Sequence, residues 1–524
     1  MPNDPTPVVE TTSGRVQGAM IEGVAAFKAI PYGAPTEGAN RFLPPRPPAP
    51  WAGIRDATEY QGRSPQAGLR PGSRPELETF SGKPDTTPDS EDCLTLHVWT
   101  PGVAETAKRP VMVWLHGGAF SYGSANSERL RGTRLAKRGD VVVVAVNHRL
   151  NIFGHLDLSA IASPEYAASG NVGTLDMVAA LAWVRDNIGR FGGDAGNVTI
   201  FGESGGGGKV STLLAMPSAR GLFHRAIIQS GAVIRHRTKD RAAKLTDCVL
   251  QVLGLSAGQI GQLQALPVAT LLAAINPAQK LLGPSPTPLF DRYPFGPTVD
   301  GDILPRHPFD PDAPGLSADI PLLIGDMKDE TASFLAPDDR VWNRVLTEDE
   351  MRERVAAIAG PHTDRVVETY RRLYPGATPA DRLIATTTDS NFRIRSLVLA
   401  QRRAAKAGAP VWMYSFEWET PVLGGRMKAP HAMDVPFTFD TIDLTNATDM
   451  GPAARGLAAT MSGLWANFAR TGVPAHPSVP EWPPYDTTTR ATLMLDTQCR
   501  IENDPRGEQR RLWQEITGTQ ERAE

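Results

Sequence analysis

Cysteine is scarce: three residues in 524 (Cys93, Cys248 and Cys499), an odd number at wide spacing with no C-x-x-C. This excludes a disulfide-stapled scaffold and a cysteine zinc site, and it favours a reducing compartment. Charge of one sign is lacking too, with 54 Lys plus Arg against 57 Asp plus Glu, a formal net of -3 and no long basic run. A nucleic-acid partner is therefore not expected. No stretch approaches the roughly 18 apolar residues of a membrane-spanning helix. The most apolar run is 141–146, VVVVAV. The opening residues show no basic segment followed by an apolar one, as a secretory leader would. A soluble, cytoplasmic protein with no membrane partner is expected. No repeat with a period of about 20 to 50 residues is visible, which excludes solenoids and propellers.

What is plentiful is glycine (49) and proline (46), enough for many turns and long loops. Proline gathers at 31–50, 65–88, 284–314 and 474–484, where irregular surface segments are expected. A 41% hydrophobic and 21% charged composition allows a large core. By length alone the chain makes either about three to four domains or one large α/β domain. Short β-branched apolar runs recur at 111–115, 141–146, 198–201, 226–229, 321–324 and 411–416. Such continuous runs suit strands buried on both faces. Helix-period segments lie between them, notably 175–187 and 207–216, and the alternation predicts an α/β fold: a large, mostly parallel sheet with helices on both faces. The stretches 238–274 and 347–407 read as helical insertions over the functional edge of that sheet.

The most informative segment is 198–216, VTIFGESGGGGKVSTLLAM, where a β-branched strand runs into G-E-S-G-G and then directly into a helix. That is the setting of a nucleophile elbow, with Ser204 exposed on a turn too tight for Cβ atoms at Gly202 and Gly206. The helix that follows aims its N-terminal N–H groups at any oxyanion formed there. A phosphate-binding P-loop would need Gly at 203 and Ser or Thr at 210; the chain has Glu203 and Val210. A merely glycine-rich structural turn is the plainer alternative.

A serine hydroxyl needs a base within hydrogen-bond reach and a carboxylate to orient that base, in the chain order Ser, acid, His. Asp326, Asp329 and Glu330, just after the apolar run PLLIG, are the candidate acids, and pattern alone does not choose among them. The downstream histidines are His362, His431 and His476. His431, in a loop soon after the strand-like VWMYSFEW, has the expected setting. A second loop, ending the apolar run VMVWL in H-G-G-A at 116–119, has the small residues that let backbone N–H groups approach a substrate oxygen. His116 precedes the elbow in the chain and reads as a residue that fixes this loop.

These blocks resemble the type-B carboxylesterase family. The likeness runs through FKAIPYGAP, SEDCLTLHVWTP, HGGAF, NHRLNIFGHL, GNVGTLDMVAALAWVRDNIGRFGGDAGNVTIFGESGG, FHRAIIQSG, IGDMKDE and KAPHAMDVPFTF, nearly the whole chain. The resemblance implies a single α/β-hydrolase domain over 1–524 that hydrolyses carboxylic esters of small to medium, apolar or aromatic molecules, with no metal and no cofactor. It implies Ser204 as acyl-enzyme nucleophile, Glu330 as triad acid and His431 as general base. The matching oxyanion donors are the N–H groups of Gly118, Ala119 and Gly205, with Gly117 shaping the loop. Ser230 matches a serine that supports the acid, and Glu203 a carboxylate that favours the imidazolium. An amide, carbamate or thioester substrate, or a non-catalytic binding protein on the same fold, are the alternatives, and a monomer or homodimer is expected. The chain departs from the family at Gly205 (commonly Ala), Thr331 (commonly Gly), His148 (commonly Tyr) and Met177 (commonly Gln). Secreted relatives bridge the equivalent of Cys93 to an upstream cysteine; the natural partner position here is Ser64. A base of this kind predicts kcat/KM climbing through an apparent pKa of about 6 to 7.

Overall fold

A computed structural model describes residues 6–67, 74–78, 80–283 and 293–518. The proline-rich segments 65–88 and 284–314 lie partly outside the described residues.

The main sheet has 11 strands. In chain order they are β1 (Ala19–Ile21), β2 (Val24–Pro31), β3 (Thr95–Thr100), β4 (Arg109–Leu115), β5 (Val142–Val146), β6 (Gly193–Glu203), β7 (Arg225–Gln229), β8 (Leu322–Met327), β9 (Val411–Phe416), β10 (Ala491–Leu495) and β11 (Arg500–Asn503). Across the sheet they run β11-β10-β9-β8-β7-β6-β4-β5-β3-β2-β1. Every pairing from β10 to β5 is parallel, and the pairings at both ends are antiparallel. The alternation of runs predicts this mostly parallel sheet, and the family resemblance implies its α/β-hydrolase arrangement.

The continuous apolar runs follow from helices covering both faces. Val111, Val113, Leu115, Val142, Val144 and Ile200 enter one core with Met177, Leu181 and Val184 of helix α1 (Val172–Asn187). Their neighbours Met112, Trp114, Val143 and Phe201 enter the opposite core with Leu457, Met461, Trp465 and Phe468 of the helix Pro452–Thr471. Successive strand side chains point to opposite faces, so a strand apolar at every position needs cover on both sides. The region 238–282 is helical at Lys239–Leu253 and Val268–Leu282, and these helices build a separate core with Phe42 and Phe153. Helices Glu348–Ala359, Thr363–Leu373 and Pro379–Thr388 build another with Trp513.

Parallel register decides where the chemistry gathers. Leu115 lies opposite Gly202, Gln229 opposite both Glu203 and Gly325, and Met327 opposite Phe416. The carboxyl ends of β4, β6, β7, β8 and β9 therefore line one edge, the usual ligand edge of such sheets. No helix among the described residues is long and apolar enough to cross a membrane.

Candidate active site

Strand β6 ends at Glu203, and helix α2 (Gly205–Leu213) starts at once. Between them Ser204 holds φ 57° and ψ -122°, a conformation that costs an L-residue about 1–3 kcal/mol. Neighbours enforce it: Ser204 N–H donates to Gln229 O at 2.8 Å, and Ser204 O accepts from Gly208 N–H at 3.0 Å. A Cβ at Gly202 would come within 2.6 Å of Leu115 O, so only glycine allows β4 and the elbow to approach this closely.

Of the downstream histidines, His431 meets a candidate acid. Its Nδ1 lies 2.5 Å from Glu330 Oε2, and its N–H donates to Glu330 O at 3.2 Å. Glu330 is fully buried and its other oxygen accepts from Met327 N–H at 2.9 Å. Asp326 faces Arg393 Nε at 3.5 Å and Asp329 accepts from Ala429 N–H at 3.4 Å, so the two other candidate acids have other neighbours. The His431 ring packs against both Phe334 and Phe392, with centroids 5.1 and 4.9 Å away. With Nδ1–H directed at Glu330, a neutral imidazole keeps its lone pair on Nε2. Nε2 lies 3.1 Å from Glu203 Oε1 and has no hydrogen-bond partner, so no hydrogen bond joins it to Ser204 Oγ.

Electrostatics at this edge are dominated by buried carboxylates. Burial pushes Glu203 up to about 7 against the pull of His431. It pushes Asp434 up to about 6, although Gln229 and Tyr414 donate to that carboxylate at 2.8 and 2.9 Å. Burial alone would lower His431, but the Glu203 and Glu330 carboxylates outweigh it and carry the imidazole up to about 9. The deprotonation expected near 6 to 7 is thus displaced to higher pH. Arg129 places a cation within electrostatic reach of Glu203.

The loop after β4 carries Gly118 at φ 89° and Ala119 at φ 54°. Gly117 abuts the elbow: a Cβ there would lie 3.1 Å from Glu203 Oε2 and 3.6 Å from Ser204 Cβ. A Cβ at Gly205 would overlap the backbone N and Cα of Ala119, so this approach of loop and elbow requires glycine at 205. Among the described residues, no acceptor receives the N–H of Gly118, Ala119 or Gly205. Gly205 follows Ser204 directly and packs against the Ala119 backbone.

Ser230 departs from expectation. Its backbone is left-handed, at φ 51°, but its Oγ is buried with no hydrogen-bond partner, so the acid is held by Met327 N–H and not by this hydroxyl. Thr331 ties the acid's turn to the neighbouring helix through Ile384 O at 3.0 Å and Thr387 Oγ1 at 2.6 Å. His148 stacks on His116, centroids 5.0 Å apart. Cys93 is buried and unpaired, with Ser64 hydrogen-bonded beside it. Asp434, Phe334 and Phe392 escaped the sequence reading. Asp434 could have been suspected from its place three residues after His431, but the two phenylalanines meet the imidazole only through tertiary packing.

A mostly parallel sheet with a strained serine between strand and helix at its carboxyl edge defines an α/β-hydrolase. The chain belongs to the carboxylesterase family, whose model it matches over residues 5–513. It is 39% identical over 507 residues to the para-nitrobenzyl esterase of Bacillus subtilis (strain 168), covering 96% of this chain and 97% of that one. It is 31% identical to the human (Homo sapiens) cocaine esterase over 538 residues, 97% and 91% of the two chains. A crystal structure of a Geobacillus stearothermophilus carboxylesterase superposes with a TM-score of 0.82 at 38% identity, covering 97% of this chain and 100% of that one. The protein is a carboxylic ester hydrolase.

Proposed function

We propose that Ser204, His431 and Glu330 are the catalytic triad of a two-step ester hydrolysis. The observation that supports this most directly is the 2.5 Å contact between His431 Nδ1 and Glu330 Oε2 at the sheet edge that carries the strained Ser204. In this reading Ser204 Oγ attacks the ester carbonyl while His431 Nε2 takes its proton. Rotation of the imidazole or of Ser204 aligns the two groups as substrate enters; catalytic hydrogen bonds are often loose in the free enzyme. The carbonyl π electrons move onto oxygen, and the N–H groups of Gly118, Ala119 and Gly205 hold that charge, each worth about 3 kcal/mol in such sites. His431 then protonates the departing alcohol, leaving an acyl-serine. Water repeats the sequence, releasing the acid and restoring Ser204. Glu330 keeps the imidazole oriented, and Glu203 favours its protonated form. No step requires a metal or cofactor.

The substrates are small to medium apolar or aromatic esters, a reading supported by the benzyl ester in the name of the Bacillus subtilis relative. The unpaired Cys93 fits a cytoplasmic protein, acting as a monomer or homodimer. The test is mass spectrometry after exposure to an organophosphonate ester. The expected result is one adduct on Ser204, absent from Ser204→Ala, which is inactive. An adduct on another serine, or an active Ser204→Ala, overturns the site. A panel of matched esters and amides tests the bond type, with the ester expected to give the much higher kcat/KM.

A further inference from the structure

Lys209 lies in helix α2, one turn beyond the elbow, and is fully buried. No Asp or Glu among the described residues lies within salt-bridge distance of it, and its neighbours His116, His148 and His155 bring no negative charge. Burial without a compensating carboxylate drives the amine well below its ordinary pKa of 10.5. Burying such a group is costly, so a fold that retains it has some use for its donor. Its Nζ donates a hydrogen bond to His116 O at 2.6 Å.

That carbonyl is the first of three consecutive ones that are tied down. Gly117 O accepts from His116 Nδ1–H at 2.8 Å, and Gly118 O accepts from the N–H groups of Ser121 and Tyr122, each at 3.1 Å. A peptide unit is planar and trans, so fixing the C=O of one residue aims the N–H of the next in the opposite direction. The tie on Gly117 O aims Gly118 N–H, and the tie on Gly118 O aims Ala119 N–H. The tie on His116 O fixes the peptide before them and so the direction from which the loop leaves β4. Of these three ties, only the first originates in the helix that carries the nucleophile.

We propose that Lys209 is a positioning residue for the oxyanion loop, coupling the elbow helix to the peptides that hold the developing negative charge. The inference rests on the triad reading above. A residue in this role acts in the transition state and leaves ground-state binding of substrate largely alone.

The experiment compares Lys209→Met, which keeps the stem and removes the donor, with Lys209→Gln, which keeps an N–H donor on a shorter stem. Both are assayed on a para-nitrophenyl ester beside Ser204→Ala. The expected result for Lys209→Met is a kcat lowered about 10- to 100-fold with KM little changed, since misplacement by about 1 Å has effects of that order. Affinity for a trifluoromethyl ketone, which forms a tetrahedral oxyanion on serine, falls by a similar factor. The thermal midpoint is equal or higher, because a buried amine with no carboxylate partner has been removed. Lys209→Gln recovers part of kcat, and it carries the same comparison if the Met variant does not fold.

A kcat within about twofold of the parent in both variants overturns the proposal. So does a kcat loss that leaves trifluoromethyl ketone affinity intact, which marks a packing defect. An active Ser204→Ala instead overturns the triad reading, so the two failures are told apart.

Discussion

At Glu203 a carboxylate oxygen lies 3.1 Å from the imidazole nitrogen that the proposed mechanism uses as base. Each carboxylate near an imidazole favours the charged form, so His431 is raised to about 9 and the active neutral form grows only as pH rises toward that value. Glu203→Gln removes one negative charge and is expected to move the acid limb of the kcat/KM profile to lower pH by a unit or so, read from rates between pH 5 and 10. An unmoved limb would separate Glu203 from the titration. Gly205 gives a second test at the same scale. Introducing alanine, the common residue of relatives, places a Cβ on Ala119. Gly205→Ala is expected to lower kcat at least about tenfold by forcing the loop off the elbow, with phosphonate labelling of Ser204 slowed in parallel.

Among the elements, the one that most shapes the site without supplying a reacting group is the π-helical turn Asp389–Arg393, between helices α3 (Pro379–Thr388) and α4 (Ile394–Ala404). The extra residue in such a turn re-aims successive side chains. Phe392 is set against the His431 ring, and Arg393 reaches Lys328 O at 3.3 Å and Met327 O at 3.5 Å, just ahead of the acid. Arg393 also pairs with Asp389 and faces Asp326, both buried. Arg393→Met therefore removes the cation facing two buried carboxylates, Asp389 still accepting from Tyr370 Oη–H, with an expected loss of about 3–5 kcal/mol in urea unfolding at pH 8. The loss shrinks below pH 7, since Asp326, already pushed up to about 7 by burial, takes up a proton. Nothing in the string DSNFR announces the turn. Apolar spacing was legible because it is local, whereas a π turn is chosen by what its side chains must reach.

At the scale of the whole molecule, the partition of titratable groups sets the pH range of the fold. Eight of the ten histidines have pKa values lowered, chiefly by burial, from 6.5: His97, His116, His148, His155, His224, His236, His307 and His476. A histidine held neutral in the fold takes up a proton on unfolding once pH drops below its unfolded value, so each removes stability as pH falls from about 6.5. The raised carboxylates Glu203, Asp326, Asp329 and Asp434 act the other way, since they hold protons in the fold that the unfolded chain releases. Histidines outnumber them two to one. The thermal midpoint is expected to fall as pH is lowered from about 6.5 to 5, checked by calorimetry across that window; a midpoint that rises would reverse the assignment.

Much was settled by the chain in one dimension. Alternation of β-branched runs with helix-period segments specifies a parallel sheet covered on both faces, because a strand apolar at every position has no other stable placement. G-E-S-G-G between strand and helix locates the elbow, since only glycines admit the close backbone approach at Gly202. The choice among Asp326, Asp329 and Glu330 was open to pattern, because all three follow the same strand and differ in which way the turn faces. Parallel register settles that geometry: it lays β8 beside β7, β7 beside β6 and β9 beside β8, so that Glu330 meets a histidine 101 residues later. The same register brought Lys209 to His116 O and left Ser230 Oγ without a partner. Local spacing records what a residue's neighbours in the chain require of it, while contacts between distant segments depend on which strands pair and on the side chains that fill the space between them.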